Sequence, residues 1–202
     1  MLSQLEQKRL HISRTIDRSK KSSLGQFFTP ETTATFMADI FPDGSGNCRL
    51  LDAGAGIGSL SAAFLERWRK GAFHFQQVEV DAFEIDKTLI KHLSDTLNRY
   101  TDSDFDSNIF VEDFIESAVG SLVDTLFSTP RGLYTHAILN PPYKKISSNS
   151  SHRRFLRQVG IETVNLYSAF VALALSLVAP GGHIVAILPR SFCNGLYYRP
   201  FR

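Results

Sequence analysis

Residues 50–60, LLDAGAGIGSL, run from apolar side chains into glycines at 54, 56 and 58 and out into another partly apolar stretch. Such a segment reads as a strand ending, a turn sharp enough to need residues without a Cβ, and a helix beginning. The alternation recurs along the chain. CRLLDAG (48–54), QQVEVDAFEID (76–86), SNIFVEDF (107–114), YTHAILN (134–140) and HIVAILP (183–189) read as strands. GSLSAAFLERWRK (58–70), KTLIKHLSDTLNRY (87–100) and the strongly apolar 162–182, closed by Pro-Gly-Gly, read as helices. Upstream, Thr29 is a candidate N-cap and Pro30 the first residue of a helix reaching Phe41, followed by a turn over PDGSGN (42–47). Residues 1–21 read as a polar, basic helix in which Leu5, Ile12 and Ile16 are too sparse for a deep core face. Strands alternating with helices require right-handed crossovers and a mostly parallel sheet covered on both faces, an α/β fold.

Ligands in such sheets lie beyond the carboxyl ends of the strands. Four patches fall there: 52–58, 84–86, 113–114 and 140–143. The glycines follow G-x-G-x-G, not the G-x-G-x-x-G of dinucleotide sites. The Asp52 carboxylate before Gly54, Gly56 and Gly58 would repel a pyrophosphate and suits a cationic ligand. Glu84 is placed to accept both hydroxyls of a ribose. Asp113 can accept from an adenine amino group, with Phe114 packing on the ring. Asp86 and Asp113 have an alternative reading as helix N-caps, and Phe114 as core. Taken together, the glycine loop and the acids at successive strand ends fit S-adenosylmethionine, whose sulfonium and ammonium prefer an acidic pocket.

The strand 134–140 runs into Asn140-Pro141-Pro142-Tyr143 and two lysines. Consecutive prolines fix their own φ and remove two N–H donors, so the tip is stiff. The Asn140 side-chain oxygen and the Pro141 carbonyl form a rigid pair of acceptors. Aimed at an exocyclic amine, they would favour a tetrahedral nitrogen and restore a lone pair otherwise delocalised into the ring. Tyr143 offers a stacking face for a base flipped out of a duplex. Lys144, Lys145, Arg153 and Arg154 are candidates for phosphate contacts. The bland alternative is a Pro-Pro strand terminator with an incidental Asn. A net charge of +2 conceals a basic end: positions 141–202 hold eight Lys/Arg and one acid, Glu162. Such a distribution suits a local meeting with a polyanion.

With 202 residues, 43% of them hydrophobic, one compact domain with a substantial core is expected. No apolar run reaches the roughly 20 residues of a membrane span, and the start of the chain lacks the apolar region of a secretory signal. Cys48 and Cys193 have neither metal-ligand nor disulfide-framework spacing, and the six histidines are scattered, so no metal is expected. A soluble, cytoplasmic protein is the default expectation.

These motifs resemble those of the amino-group adenine-specific DNA methyltransferases, in the order where cofactor motifs precede the catalytic one. The likeness is greatest to restriction–modification methylases with NPPY, and covers about residues 22 to 202. GQFFTP (25–30) is similar to the family's N-terminal cofactor segment, with Thr29 and Pro30 carrying the match. LLDAGAGIGSL is similar to the glycine motif, FEID to the ribose-acid motif and EDF to the adenine motif. NLYSAF (165–170) resembles the helix motif that follows, where Phe170 borders the cofactor adenine. LPRSF is similar to the end of the fifth strand. YYRPF falls where the family places a second aromatic against the flipped base, which selects Tyr198, with Tyr197 in reserve.

The resemblance implies a Rossmann-like, S-adenosylmethionine-dependent methyltransferase fold, with a basic helix at 1–21 and a catalytic domain at 22–202. It implies N6 methylation of adenine in double-stranded DNA, with a cognate endonuclease as a potential partner and no membrane. The chain stops just after Tyr198, where the family continues into a strand hairpin and a target-recognition domain, so either a fragment of a longer enzyme, the preferred reading, or a target-recognition domain on a separate chain is expected. Methylation of RNA or of a protein glutamine is the alternative, since NPPY occurs there too. The glutamine enzymes carry a separate helical domain where this chain has GQFFTP. A non-catalytic cofactor- or DNA-binding subunit and a nicotinamide oxidoreductase are the remaining competitors. Intact Asn140, Pro141 and Tyr143 argue against the first, and the glycine spacing against the second.

Overall fold

The computed structural model describes residues 2–15, 28–124, 133–190 and 192. Five strands form one sheet in the order β3-β2-β1-β4-β5, every pair parallel. They are β1 (Ser45–Ala53), β2 (His74–Phe83), β3 (Phe105–Phe110), β4 (Tyr134–Leu139) and β5 (Val178–Ala186). The helices are α1 (Leu2–Thr15), α2 (Glu31–Ile40), α3 (Ser59–Arg69), α4 (Lys87–Leu97), α5 (Phe114–Asp124), α6 (Ser151–Gln158) and α7 (Leu166–Leu177). No helix among the described residues is long and apolar enough to cross a membrane.

Successive strand residues point to opposite faces, and each face carries its own core. Leu50, Val80, Ala82 and Ile138 pack with side chains of α1 to α4. Leu51, Ala53, Phe83, Ala137 and Leu139 pack with those of α5 to α7. Burial on both sides is why the last three residues of β4, Ala137-Ile138-Leu139, are all apolar instead of alternating.

Helix α1 departs from its sequence reading. Leu5 and Ile12 are buried and join the first core, so this helix is part of the body of the protein. Its Glu6 carboxylate, held by Arg9 at 2.7 and 2.8 Å, accepts the backbone N–H of Glu31 at 3.1 Å. That closes one of the orphan donors at the start of α2. The N-cap there is Pro30, with no side-chain cap, and Thr29 stands one residue outside.

Two helices had no range from the sequence, although the alternative reading of Asp113 as an N-cap marks the start of the first. Helix α5 begins in the Asp113-x-x-Glu116 pattern that favours a helix start, and Asp113 Oδ1 accepts from the N–H groups of Ile115 and Glu116 at 2.9 and 3.2 Å. Helix α6 is nearly all polar, with Ser150 as its N-cap. At the far end α7 stops at Leu177, five residues short of the expected 182, and β5 begins at once. The Pro-Gly-Gly stretch lies inside a bulge: Tyr134 pairs with Val178, but His136 pairs with His183.

Gly182 is wedged into this bulge. A Cβ there would stand 2.5 Å from Val178 Cγ1, 2.7 Å from the Thr135 carbonyl oxygen and 3.0 Å from that of Ala179. Backbone atoms cannot yield as a side-chain tip does. Gly182→Ala should destabilise the fold by about 1–3 kcal/mol, read as a lower urea midpoint at unchanged slope.

Candidate active site

Four strand ends meet at one edge of the sheet, and hydrogen bonds carry the ladder past them. The N–H groups of Gly54 and Ala55 reach the Phe83 carbonyl at 3.0 and 2.9 Å, and that of Glu84 reaches Phe110 at 3.0 Å. Gly54, Gly56 and Gly58 have φ of 81°, 60° and 84°, so the turn itself demands glycine. Glu84 ties the loop to β2: its Oε2 accepts from Gly56 N at 2.8 Å and its Oε1 from Asp86 N at 2.7 Å. Burial pushes the Glu84 pKa up against these stabilising N–H contacts. Asp86 caps α4 through Thr88, as its alternative reading had it.

Asp52 engages Ser61 through one oxygen, while its Oδ1 is buried with no hydrogen-bond partner among the described residues. The side chain is fully buried, and its Oδ2 accepts from the backbone N–H and the hydroxyl of Ser61 at 3.2 and 2.5 Å. Burial raises its pKa to about 7. Its work is to bind the first turn of α3 beneath the glycine loop.

At the third strand end, Asp113 caps α5 with one oxygen, and its Oδ2 meets His152 Nε2 of α6 at 2.8 Å. Burial alone would raise the Asp113 pKa, but His152 and the two backbone donors outweigh it and hold the carboxyl below its usual range. The same contact raises the His152 pKa. Phe114 is core, edge-on to Phe83 at 5.2 Å, yet it also touches Phe170 at 5.0 Å. Phe170 in turn lies by Gly54, where a Cβ would be 3.7 Å from its ring. Asp113, Phe114, Phe170 and Gly54 thus make one continuous wall.

At the fourth end, Asn140 Nδ2 donates to Thr29 Oγ1 at 3.0 Å. The Tyr143 hydroxyl lies 3.1 Å from both Asn140 Oδ1 and the Ile187 carbonyl, and its single proton serves one of them at a time. The Tyr143 ring sits 6.1 Å from that of Tyr167. Pro141 is buried, and the Pro142 carbonyl accepts from Lys144 N at 3.2 Å. Among the described residues the Pro141 carbonyl takes no backbone N–H.

Asn140, Thr29, Phe28, Gly54 and Gly56 border one narrow cleft of about 30 Å³. A larger cavity of about 320 Å³ lies elsewhere, around Arg49, Asp81 and Tyr134. Asp81 is already engaged there by both Arg49 and Tyr134. Volume therefore does not locate the site; convergence of strand-end side chains does. Phe28, whose ring lies over Gly56, was not anticipated, although it is the residue directly before Thr29. Nothing local in the sequence signalled His152, which meets its partner across 39 positions.

The basic rim is smaller than expected. Lys144, Lys145 and Arg154 are exposed. Arg153 is turned inward, donating to the Thr163 carbonyl and pairing with Glu162 at 3.6 Å, which withdraws it from the phosphate-facing set. Tyr197 and Tyr198 lie outside the described residues.

The Eco57I restriction-modification methylase family matches residues 9–202. The chain belongs to this family. It is 50% identical over 95% of its length to Type II methyltransferase M.BsuBI of Bacillus subtilis. It is 41% identical over 93% to Type II methyltransferase M.PstI of Providencia stuartii. It spans 40% and 37% of those relatives' lengths. Among solved structures, a protein assigned to the class I S-adenosylmethionine-dependent methyltransferases of Listeria monocytogenes superposes with a TM-score of 0.67. Identity there is 13%, covering 98% of this chain and 56% of that one. The methyltransferase subunit of a type I restriction-modification system from Streptococcus thermophilus gives 0.58 at 19% identity, covering 82% and 35%. The fold is the Rossmann-like fold of class I methyltransferases, as the resemblance implied, and its parallel sheet is what the alternation of strands and helices led us to expect.

The His152–Asp113 contact has a pH signature. His152, with its pKa raised from 6.5, stabilises the fold fully below that value and loses its contribution as pH climbs through the folded value. Asp113, lowered from 3.8, contributes above that value and loses it as pH falls through the folded value. The contact is strongest between the two. Thermal melts of wild type and His152→Ala should differ most near about pH 5 and narrow by about pH 9, with a gap below about 1 kcal/mol for so exposed a pair.

Proposed function

We propose that this chain binds S-adenosylmethionine at the carboxyl edge of its sheet and methylates the N6 amine of adenine in DNA, on a base flipped out of the duplex, within a restriction–modification system. The observation that carries this reading is the cleft in which Asn140 stands beside the glycine loop. It brings a rigid acceptor, at the end of one strand, to the place where neighbouring strands would hold a methyl donor.

The donor set fits that cofactor. Glu84, at the end of the neighbouring strand, is a carboxylate held in place by the N–H groups of Gly56 and Asp86, where a ribose would lie. Asp113 stands beside the Phe114 and Phe170 rings, and glycine backbone is open to close approach. When bound, S-adenosylmethionine supplies an electrophilic methyl on a sulfonium whose leaving group is a neutral thioether. Asn140 Oδ1 and the Pro141 carbonyl would take the two N–H bonds of the incoming amine and keep its lone pair out of the ring. No strong base is required, because a proton can pass to water once nitrogen carries the methyl. The Tyr143 ring would stack on the flipped base, offsetting lost pairing, while Lys144, Lys145 and Arg154 hold phosphates. The relatives support this reading: they are Type II methyltransferases, and the chain spans about two fifths of them.

Radiolabelled methyl transfer, offered separately to duplex DNA, ribosomal RNA and a release factor, tests the substrate. Label at N6 of adenine in DNA is expected; label in protein alone would overturn the proposal. Asn140→Ala should lower turnover by about 100- to 1,000-fold with cofactor affinity nearly unchanged by calorimetry.

A further inference from the structure

An amide has two ends, and only the oxygen of Asn140 can assist an amine. Half a turn about its last side-chain bond would set N–H against N–H. Something must hold the amide the right way round while substrate is present. The Tyr143 hydroxyl, 3.1 Å from Oδ1, is not a steady hold, because its single proton serves one acceptor at a time. It has the Ile187 carbonyl, also at 3.1 Å, to turn to. A contact on the other end leaves the oxygen accessible: Asn140 Nδ2 donates to Thr29 Oγ1 at 3.0 Å, across 111 positions of sequence.

Thr29 is only 6% exposed, so water competes poorly for its hydroxyl. In the sequence Thr29-Pro30-Glu31 the threonine has the chemistry of a helix cap. The structure releases it from that task. Pro30 takes the N-cap position, and the Glu6 carboxylate of α1 meets the Glu31 N–H instead. The hydroxyl is left to face Asn140.

We propose that Thr29 is a positioning residue: it fixes the Asn140 amide so that its oxygen, not its nitrogen, faces the amine. This rests on the methylation reading above. The test compares Thr29→Val, which keeps the shape and removes the oxygen, with Thr29→Ser, which keeps the oxygen. Two readouts are taken on the whole protein: solvent exchange of the Asn140 side-chain amide protons by NMR, and kcat at saturating cofactor alongside cofactor Kd.

Thr29→Val should speed the exchange and lower kcat by about 10- to 100-fold, while Kd moves less than about threefold, below the scale of one lost hydrogen bond. Thr29→Ser should restore both readouts towards wild type. Unchanged exchange in Thr29→Val would overturn the proposal, as would a wild-type kcat with only Kd raised. Equal losses in both variants would also overturn it, since that marks packing alone. A wild-type protein inert toward every nucleic acid and protein substrate, whose Asn140 protection still falls in Thr29→Val and returns in Thr29→Ser, would sink the methylation reading and leave the hold on the amide standing.

Discussion

The parallel register of β1 with its two neighbours governs everything at the carboxyl edge. Ala53 is level with Phe83 on one side, and Asp52 is level with Ile138 on the other. Each strand is then followed within one or two residues by a side chain or loop of the site: Gly54, Glu84 and Asn140. A one-residue slip in any pair would turn these groups to the opposite face. The double-sided burial of Leu50, Leu51, Ile138 and Leu139 makes such a slip prohibitive. Site geometry and core packing are therefore one constraint seen from two directions.

The acidic residues of the site illustrate what burial asks of charge. Asp52, Glu84, Asp86 and Asp113 each accept at least one backbone N–H. A carboxylate taken out of water needs donors, and the loops and helix starts after parallel strands supply them. Any ligand role is added to lone pairs that remain. Asp52 shows the limit of reading charge from position alone: the same carboxylate that looked suited to a cation is turned to Ser61 beneath the loop.

The strand ends were legible because glycines, prolines and short apolar runs act locally. Residues 50–60, 84–86 and 140–143 fall where their sequence placed them. What escaped was set by distance in the chain. Thr29 looked like a cap until Glu6 displaced it, and Leu5 and Ile12 looked too sparse to matter until α2 and α3 supplied their partners. Arg153 counted as one more surface cation, but a carbonyl ten positions away claimed it. The start of β5 was misplaced because Pro-Gly-Gly ends helices more often than it forms the bulge of a strand. Helix α6 has almost no apolar pattern to reveal it.

The Glu6 contact changes the standing of the amino terminus. A short polar helix at the edge of a domain is ordinarily where an engineer attaches a purification handle or begins trimming. Here that helix sits under the backbone N–H of Glu31, two residues from the hydroxyl that meets Asn140. Loss of Glu6 would leave the first N–H of α2 without its carboxylate, directly beside the segment that carries Thr29. The first fifteen residues are thus a footing of the candidate site, through contacts that link Glu6 to Glu31 and Thr29 to Asn140.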